Sequence, residues 1–394
     1  MVGWWRLLGA WSLLVLCLWG CSSAPPAAES PADAVPQIDT FKILTYNTLH
    51  GLLVERFWVR PGELLEQQLA RFNLRVEQLA EAQPDVALLQ EVNPLPHMAE
   101  RYVEALQARG LRYSQVHQVD ACGLRLPGLA LLRNLNNGLV ILAKVPLRIQ
   151  QLDGLKLSGT GSCHDQAGWQ LGELRYALIA EIMSPATQSK YLVSTAHLHS
   201  GIERDMYFLN ALKDAHQQGR IHQYDHLMAV LKGDQELRLR ELHTWIKALH
   251  RYQENGPYTG LIIGGDFNFE PGSPEYRELE RFGLQDTAEL ASEMPMLNTY
   301  DPALNPLAGH EETGLPPEFD VAIATESASD RQEIIADYRR AIGQARRIDF
   351  LFSMSFMSKA CLKQALFGQT VSSGHLAGSD HYGVINTYSY HMPC

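Results

Sequence analysis

The chain has 394 residues, of which 46% are hydrophobic and 20% charged. That balance excludes a disordered or fibrous chain and supplies core material for one large domain or two ordinary ones. The net charge of −11 argues against a broad nucleic-acid binder, which usually carries a basic stripe, but a local metal site can offset negative charge and leaves a nuclease open. At the N-terminus, Met1 to Arg6 carries a single positive charge. Leu7 to Trp19 is then an apolar run, too short and too near the terminus for an ordinary spanning helix.

The run ends Leu18-Trp-Gly-Cys21 and resembles a bacterial lipoprotein signal, although Trp19 is bulkier than usual there. Cleavage before Cys21 would leave that cysteine lipidated, and two or more chains anchor stably. Ser22 is not the aspartate that holds such proteins at the inner membrane, so the resemblance implies the outer membrane of a bacterial cell envelope. A plain secretory signal with a chance cysteine is the alternative. The expected organisation is a signal peptide over 1–20, an Ala/Pro/Ser-rich tether over 21–40 and one domain over 41–394. Cys122, Cys163, Cys361 and Cys394 then remain in an oxidising compartment. We expect Cys122–Cys163, which share a loop-rich region, and Cys361–Cys394.

Phe41 to Asn47 alternates like a strand. Leu65, Leu69, Phe72, Val76 and Leu79 form one face of a helix, which Pro84 stops. Asp85 to Glu91 is a short buried strand with an acidic end. Asn47 and Glu91 therefore sit at strand ends and offer oxygen to a hard divalent cation. Pro96 to Arg109 reads as a helix, 118–137 as a loop-rich insert, Asn137 to Ala143 as a strand and 155–172 as a Gly/Ser-rich loop. Leu174 to Ile182 and Tyr191 to Ala196 are strands, the second running into His197 and His199. A His-x-His zinc pair lacks a third ligand at metal spacing, and a hydrogen-bonded core histidine is the plainer reading.

Residues 203–252 look helical, with a polar middle. Leu261-Ile-Ile-Gly-Gly-Asp-Phe-Asn268 then reads as a buried strand and a glycine turn that deliver Asp266 and Asn268 to one side of a strand tip. A helix follows over Ser273 to Phe282. Residues 298–345 look irregular apart from a helical piece near 331–342. Arg347 to Phe352 is a strand carrying Asp349, a carboxylate in apolar company that needs a partner. Gly378-Ser-Asp380-His381 supplies one just before the last strand.

These strand-end groups suit a metal, a general base and an anion-stabilising cluster. Tyr46-Asn47, Gln90-Glu91, His197-Leu198, Gly265-Asp266-Phe267-Asn268, Arg347-Ile348-Asp349 and Ser379-Asp380-His381 resemble, in order, the motifs of the endonuclease/exonuclease/phosphatase superfamily. Within it, Thr195-Ala-His197-Leu-His199, Asn137-Gly to Pro146, Gln235 to Ile246, Leu284 to Asp286 and Asn298-Thr299 look most like neutral sphingomyelinases. Residues 205–234 and 301–345 have no counterpart in the resemblance, and no exposed aromatic hairpin is recognisable.

The resemblance implies an α/β fold, a four-layer α/β/β/α sandwich of two mostly antiparallel sheets flanked by helices. It implies Mg²⁺-dependent (or Mn²⁺-dependent) hydrolysis of a phosphate ester by in-line attack of water. Glu91, Asn47 and Asp380 would hold the metal or lie beside it. His381 would be the base and Asp349 its orienting partner. Asp266 and Asn268 would position phosphate and water, and His197 would serve the phosphate or leaving group. His199 receives no role. The expected protein is a lipid-anchored monomeric sphingomyelinase C-like enzyme acting on a membrane lipid. A DNase-like endonuclease acting on nucleic acid and a phosphoinositide phosphatase are the alternatives.

Overall fold

Aliphatic strands with no polar alternate positions need cover on both faces, and here two sheets cover each other. The computed structural model describes residues 40–49, 65–122, 136–165, 168–201, 205–291, 298–308, 317–356, 360–369 and 377–389. The signal, most of the tether, Cys21 and Cys394 lie outside these residues.

The order begins β1 (Thr40–Asn47), α1 (Leu65–Ala82), β2 (Val86–Gln90), α2 (His97–Gln107), β3 (Tyr113–Ala121) and β4 (Asn137–Lys144). It continues with β5 (Arg148–Cys163), β6 (Gly168–Met183), β7 (Lys190–His197), α3 (Met206–Gln217), α4 (Tyr224–Asn255) and β8 (Tyr258–Asp266). The last elements are α5 (Pro274–Arg281), β9 (Gln285–Asp286), α6 (Thr287–Leu290), α7 (Pro317–Ala322), α8 (Ala328–Ile342), β10 (Asp349–Met354), β11 (Cys361–Phe367) and β12 (Gly383–Ser389). One sheet runs β11-β12-β1-β2-β4-β3 and the other β5-β6-β7-β8-β10-β9. Neighbours are antiparallel except for one parallel pair in each sheet, β1 with β2 and β7 with β8. α1 supplies the first crossover, α3 and α4 the second.

Alternation along the strands feeds three apolar layers. Ile43, Val86, Leu88, Ile141, Leu178, Val193, Ile262 and Leu351 fill the space between the sheets. Val76, Leu79, Tyr102 and Leu106 from α1 and α2 cover the outer face of the first sheet. Leu242, Trp245, Leu249 and Leu279 from α4 and α5 cover the second. This is the expected four-layer sandwich. Leu69, which its spacing puts on the buried face of α1, stays 38% exposed.

Gly264 and Gly265 do not turn the chain. β8 runs through both, and a Cβ on Gly265 would lie 2.0 Å from the Ala196 carbonyl oxygen. They are glycines because β7 and β8 approach closely there. The expected 155–172 loop is also mostly strand, the end of the long β5–β6 hairpin. Its glycines hid the alternation and sit near shifts in register. Gly159, for example, has φ +85°, and a Cβ there would meet the Glu173 carbonyl oxygen at 2.1 Å. Near the end of this hairpin Trp169 and Leu171 are 52% and 70% exposed, an apolar aromatic hairpin that the sequence did not reveal. The Cys122–Cys163 disulfide ties β3's end to the hairpin, as expected. Cys361 is disulfide-bonded, and its expected partner Cys394 is outside the described residues. No helix among the described residues is long and apolar enough to cross a membrane.

Candidate active site

Both parallel pairs end on polar residues at one edge of the sandwich, and cross-strand register lines them up. His197 of β7 pairs with Asp266 of β8, and Asp266 pairs with Asp349 of β10. From the other sheet β1 brings Asn47 and β2 ends just before Glu91. The Asn47 amide joins the sheets: its Nδ2 donates to Glu91 Oε1 at 2.9 Å and to Asp266 Oδ2 at 3.1 Å. Its Oδ1 accepts from the Leu49 amide at 3.0 Å. Asn47 thus organises two carboxylates and keeps one lone pair for a further partner.

His381 Nδ1 lies 2.8 Å from Asp349 Oδ2, and its Nε2 lies 3.7 Å from Asp266 Oδ2. Thr299 Oγ1 accepts from the Ile348 and Asp349 amides at 3.1 Å, which fixes Asp349 from behind. His197 approaches Glu91 Oε1 at 3.8 Å and Asp266 Oδ2 at 3.5 Å, and its Nδ1 is buried without a hydrogen bond. Asn268 donates from Nδ2 to the Leu198 carbonyl at 3.0 Å. Its backbone N–H donates to Asp266 Oδ1. Glu91 and Asn268 both take left-handed backbone, φ 56° and 52°, which non-glycine residues adopt at a cost and mostly where surroundings over-determine them.

The electrostatics divide the residues. Burial pushes the Asp266 carboxyl up to about 7, and the Asp349 and Glu91 carboxylates add to the rise against the pull of His381. Burial, with Glu91 nearby, raises Asp380 as well. For His381 burial opposes the charge, but Asp349, Asp380 and Asp266 outweigh it and hold the imidazole well above its ordinary value. For His197 burial and the Arg175 guanidinium win, and its pKa falls to about 3. His197 is therefore a neutral ring near pH 7, suited to donating one hydrogen bond. His381 rests protonated, and its use as a base requires the surrounding carboxylate charge to be offset.

Residues that sequence reading passed over hold this arrangement. Gln90 Nε2 donates to Thr45 Oγ1 at 3.2 Å and to Thr195 Oγ1 at 2.8 Å, a bridge between the sheets directly beneath the site. Buried Arg75 of α1 donates to the carbonyls of Thr48 and Gly378 at 2.6 and 3.0 Å, and Arg71 reaches Gly378 too. The two arginines tie the loop after Asn47 to the loop that carries Asp380. Arg347 pairs with Asp286 inside the scaffold and not in the site. The Tyr300 ring stands 5.4 Å from that of His381. Gln90, Thr195, Asp286, Thr299 and Arg347 carried a signal as members of motif segments; Thr45, Arg71, Arg75 and Tyr300 carried none.

The donor set fits a hard divalent cation. Asp266, Asp349 and His381 each bring a ligand atom to within 4.8 Å of the others. Asp349 Oδ2 is taken by His381 Nδ1, which leaves Asp349 Oδ1 buried without a hydrogen bond among the described residues, and a hard ion prefers oxygen donors, so the oxygen-rich side, Asn47, Glu91, Asp266 and Asp380, suits such an ion better. Burial and neighbouring carboxylates raise Asp266 and Asp380, and such an ion offsets the charge gathered there.

A family model described as the Endonuclease/Exonuclease/phosphatase family matches residues 44–381, and the chain belongs to that family. Its enzymes are hydrolases of phosphate esters that use divalent metal ions. In fold the chain is similar to an endonuclease/exonuclease/phosphatase family protein from Bacteroides thetaiotaomicron, with 13% identity and TM-score 0.54 over 90% of this chain and 99% of that one. It is also similar to truncated Caenorhabditis elegans TDP2, with 15% identity and TM-score 0.52 over 89% and 97%. A Bacteroides vulgatus family member gives 14% identity and TM-score 0.52 over 89% and 98%. At these identities the likeness is one of fold. No curated protein sequence matches the chain.

Proposed function

We propose that this chain is a Mg²⁺-dependent phosphodiesterase of membrane lipids, with sphingomyelin, split to ceramide and phosphocholine, as the substrate to test first. The observation that carries the lipid reading is the exposed pair Trp169 and Leu171, 52% and 70% exposed on β6. Glu173, two residues further along the strand, touches His199 beside His197. At about 3.3 Å per residue the apolar pair is some 10 Å from the site's edge, a reach that suits a headgroup at a membrane surface. The Thr195-Ala-His197-Leu-His199 segment and the lipidated Cys21 of the lipoprotein reading support the same placement, an anchored enzyme of the bacterial outer membrane.

The chemistry follows from the chain's own groups. A divalent cation at Glu91, Asn47 and Asp380 would polarise a phosphate oxygen and offset the leaving oxygen's charge. Water attacks phosphorus in line with the ester oxygen. Its proton passes to His381 once that ring is neutral, and Asp349 at 2.8 Å then holds the imidazolium. Asp266 orients the water, and His197 donates a hydrogen bond to the phosphate. The P–O bond to the leaving oxygen breaks, and that oxygen takes up a proton from solvent water, while His381 later returns its proton to solvent.

The test uses the purified protein with Mg²⁺ or EDTA on sphingomyelin vesicles, duplex DNA and a phosphoinositide. Metal-dependent release of phosphocholine is the expected result. Cleavage of DNA alone would move the protein to a nuclease reading, and inorganic phosphate from the phosphoinositide alone would make it a phosphatase.

A further inference from the structure

Residues 205–234 and 317–342, without counterpart in the sequence resemblance, fold onto each other. Phe208 and Leu212 of α3, Leu231 of α4, Phe319 of α7 and Ile334 and Tyr338 of α8 form a hydrophobic cluster separate from the three layers of the sandwich. Arg220–Glu333 and His222–Glu326 ion pairs cross between the two segments. The 32-residue helix α4 belongs to both bodies. Its first half contributes Leu227 and Leu231 to this module, and its second half packs Leu242, Trp245 and Leu249 on the β7–β8 sheet.

Asp234 sits at the joint between these halves. Its Oδ1 lies 3.1 Å from His199 Nε2. The other ring nitrogen of His199 faces the Glu173 carboxylate of β6. Glu173 in turn pairs with Arg175, whose side chain is 11% exposed and whose Nε has no hydrogen-bond partner among the described residues. The His199 backbone is held as well: its N–H donates to Glu241 Oε2 at 2.9 Å, and its carbonyl accepts from Arg238 Nη1 at 3.3 Å. A surface His–Asp pair is the plain alternative. Against it, His199 is 19% exposed, and carboxylates on two different elements take both ring nitrogens, which requires both protons on the ring. The facing charges agree: burial opposes the proton, but Asp234 and Glu173 raise its pKa to about 9.

We propose that His199 is a positioning residue, through which the helical module's Asp234 fixes the strand end carrying His197 and the Glu173–Arg175 pair at the edge of the site. The kinetic half of this inference rests on the hydrolase reading above; the positional half does not. The full-length protein is compared with Asp234→Asn, Asp234→Glu and, as a control inside the module, Glu333→Gln, which removes the Arg220 pair. Turnover and hydrogen–deuterium exchange of peptides over 170–176 and 195–201 are measured together. Asp234→Asn is expected to lower kcat at least about tenfold, since small displacements of reacting groups cost that much or more, and to raise exchange in both peptides. Asp234→Glu restores much of both, and Glu333→Gln changes neither. Wild-type kcat and exchange in Asp234→Asn would overturn the inference. So would equal effects from Glu333→Gln, which would make the module a general stabiliser. Raised exchange in Asp234→Asn from a wild type that splits no phosphate ester would sink the hydrolase reading and sustain the positional link.

Discussion

Asp349→Asn removes one charge and almost no volume from the most enclosed pair in the site. Asp349 is 0% exposed and His381 7%, and they meet at 2.8 Å. A hydrogen bond to a charged group contributes about 1.5–3 kcal/mol, and breaking a buried ion pair costs about 3–5 kcal/mol. Asp266 and Asp380 still face His381 in the variant, so a loss of about 2–3 kcal/mol is expected. The pH dependence has a fixed sign. The folded pKa of His381 is raised above its unfolded value, so its stabilisation is complete below about 6.5 and fades as pH rises through the raised value. The deficit of Asp349→Asn should therefore be largest near pH 6 and shrink in alkaline buffer. Urea unfolding of both proteins in EDTA at the two pH values measures it, and EDTA keeps metal binding out of the comparison. Turnover with Mg²⁺ should fall about 10²–10⁴-fold, the range for a lost base or its orienting carboxylate. A deficit that is constant with pH, together with near-wild-type turnover, would refute the pairing as the source of either effect.

Three further outcomes follow. His381→Ala should lower kcat at least about a hundredfold, and a smaller drop in steady-state assays would remove it as the base. Glu91→Ala should shift the Mg²⁺ titration of activity to higher concentration more than any other single change in the site; an unchanged midpoint would take Glu91 out of the metal's reach. Trp169→Ser combined with Leu171→Ser should weaken partition onto sphingomyelin vesicles about tenfold or more, since burying such a side chain contributes about 1.5–3 kcal/mol, while turnover of a soluble phosphodiester stays as it was. Unaltered vesicle binding in a sedimentation assay would leave that hairpin without a role at lipid.

The sequence was most legible where one residue type at one position is hard to explain otherwise. Asp349 in an apolar strand demanded a partner, and it has His381. Strand ends at Asn47, Glu91, His197 and Asp266 pointed to shared chemistry, and register within each sheet with the Asn47 bonds to Glu91 and Asp266 brings them into one crevice. The supports were illegible because their residue types are ordinary. Thr45 is an ordinary strand threonine, Thr195 stood out only as the head of a histidine segment, and only tertiary packing shows Gln90 spanning the two. Arg71 and Arg75 lie on a helix whose apolar spacing alone was informative, yet they hold the loops on either side of the site. The β5–β6 hairpin was hidden because glycine contributes nothing to an alternating pattern. The helical module failed for another reason: Phe208 and Phe319, 5.5 Å apart, are separated by a long stretch of chain, and no local pattern announces such a pairing.

The placement of the site follows from the two parallel pairs. An antiparallel hairpin returns the chain to the edge it left, so consecutive strands end on opposite edges. A parallel pair, made by a helical crossover, brings two consecutive strands to the same edge with nothing joining their tips. Each sheet has one such pair, β1 with β2 and β7 with β8, and the four tips carry Asn47, Gln90, His197 and Asp266. The sheets pack face to face through Leu88, Val193, Ile262 and Leu351, so the two open edges become one crevice. Groups from both sheets then meet at hydrogen-bond range, as Asn47 does with Asp266 at 3.1 Å. Geometry at the phosphate is thus set by the dry inter-sheet layer and the Gln90 bridge beneath it. The loops that cross the crevice are held to α1 by Arg71 and Arg75 and to the start of β10 by Thr299, so the polar cluster keeps its positions against the repulsion of its own carboxylates.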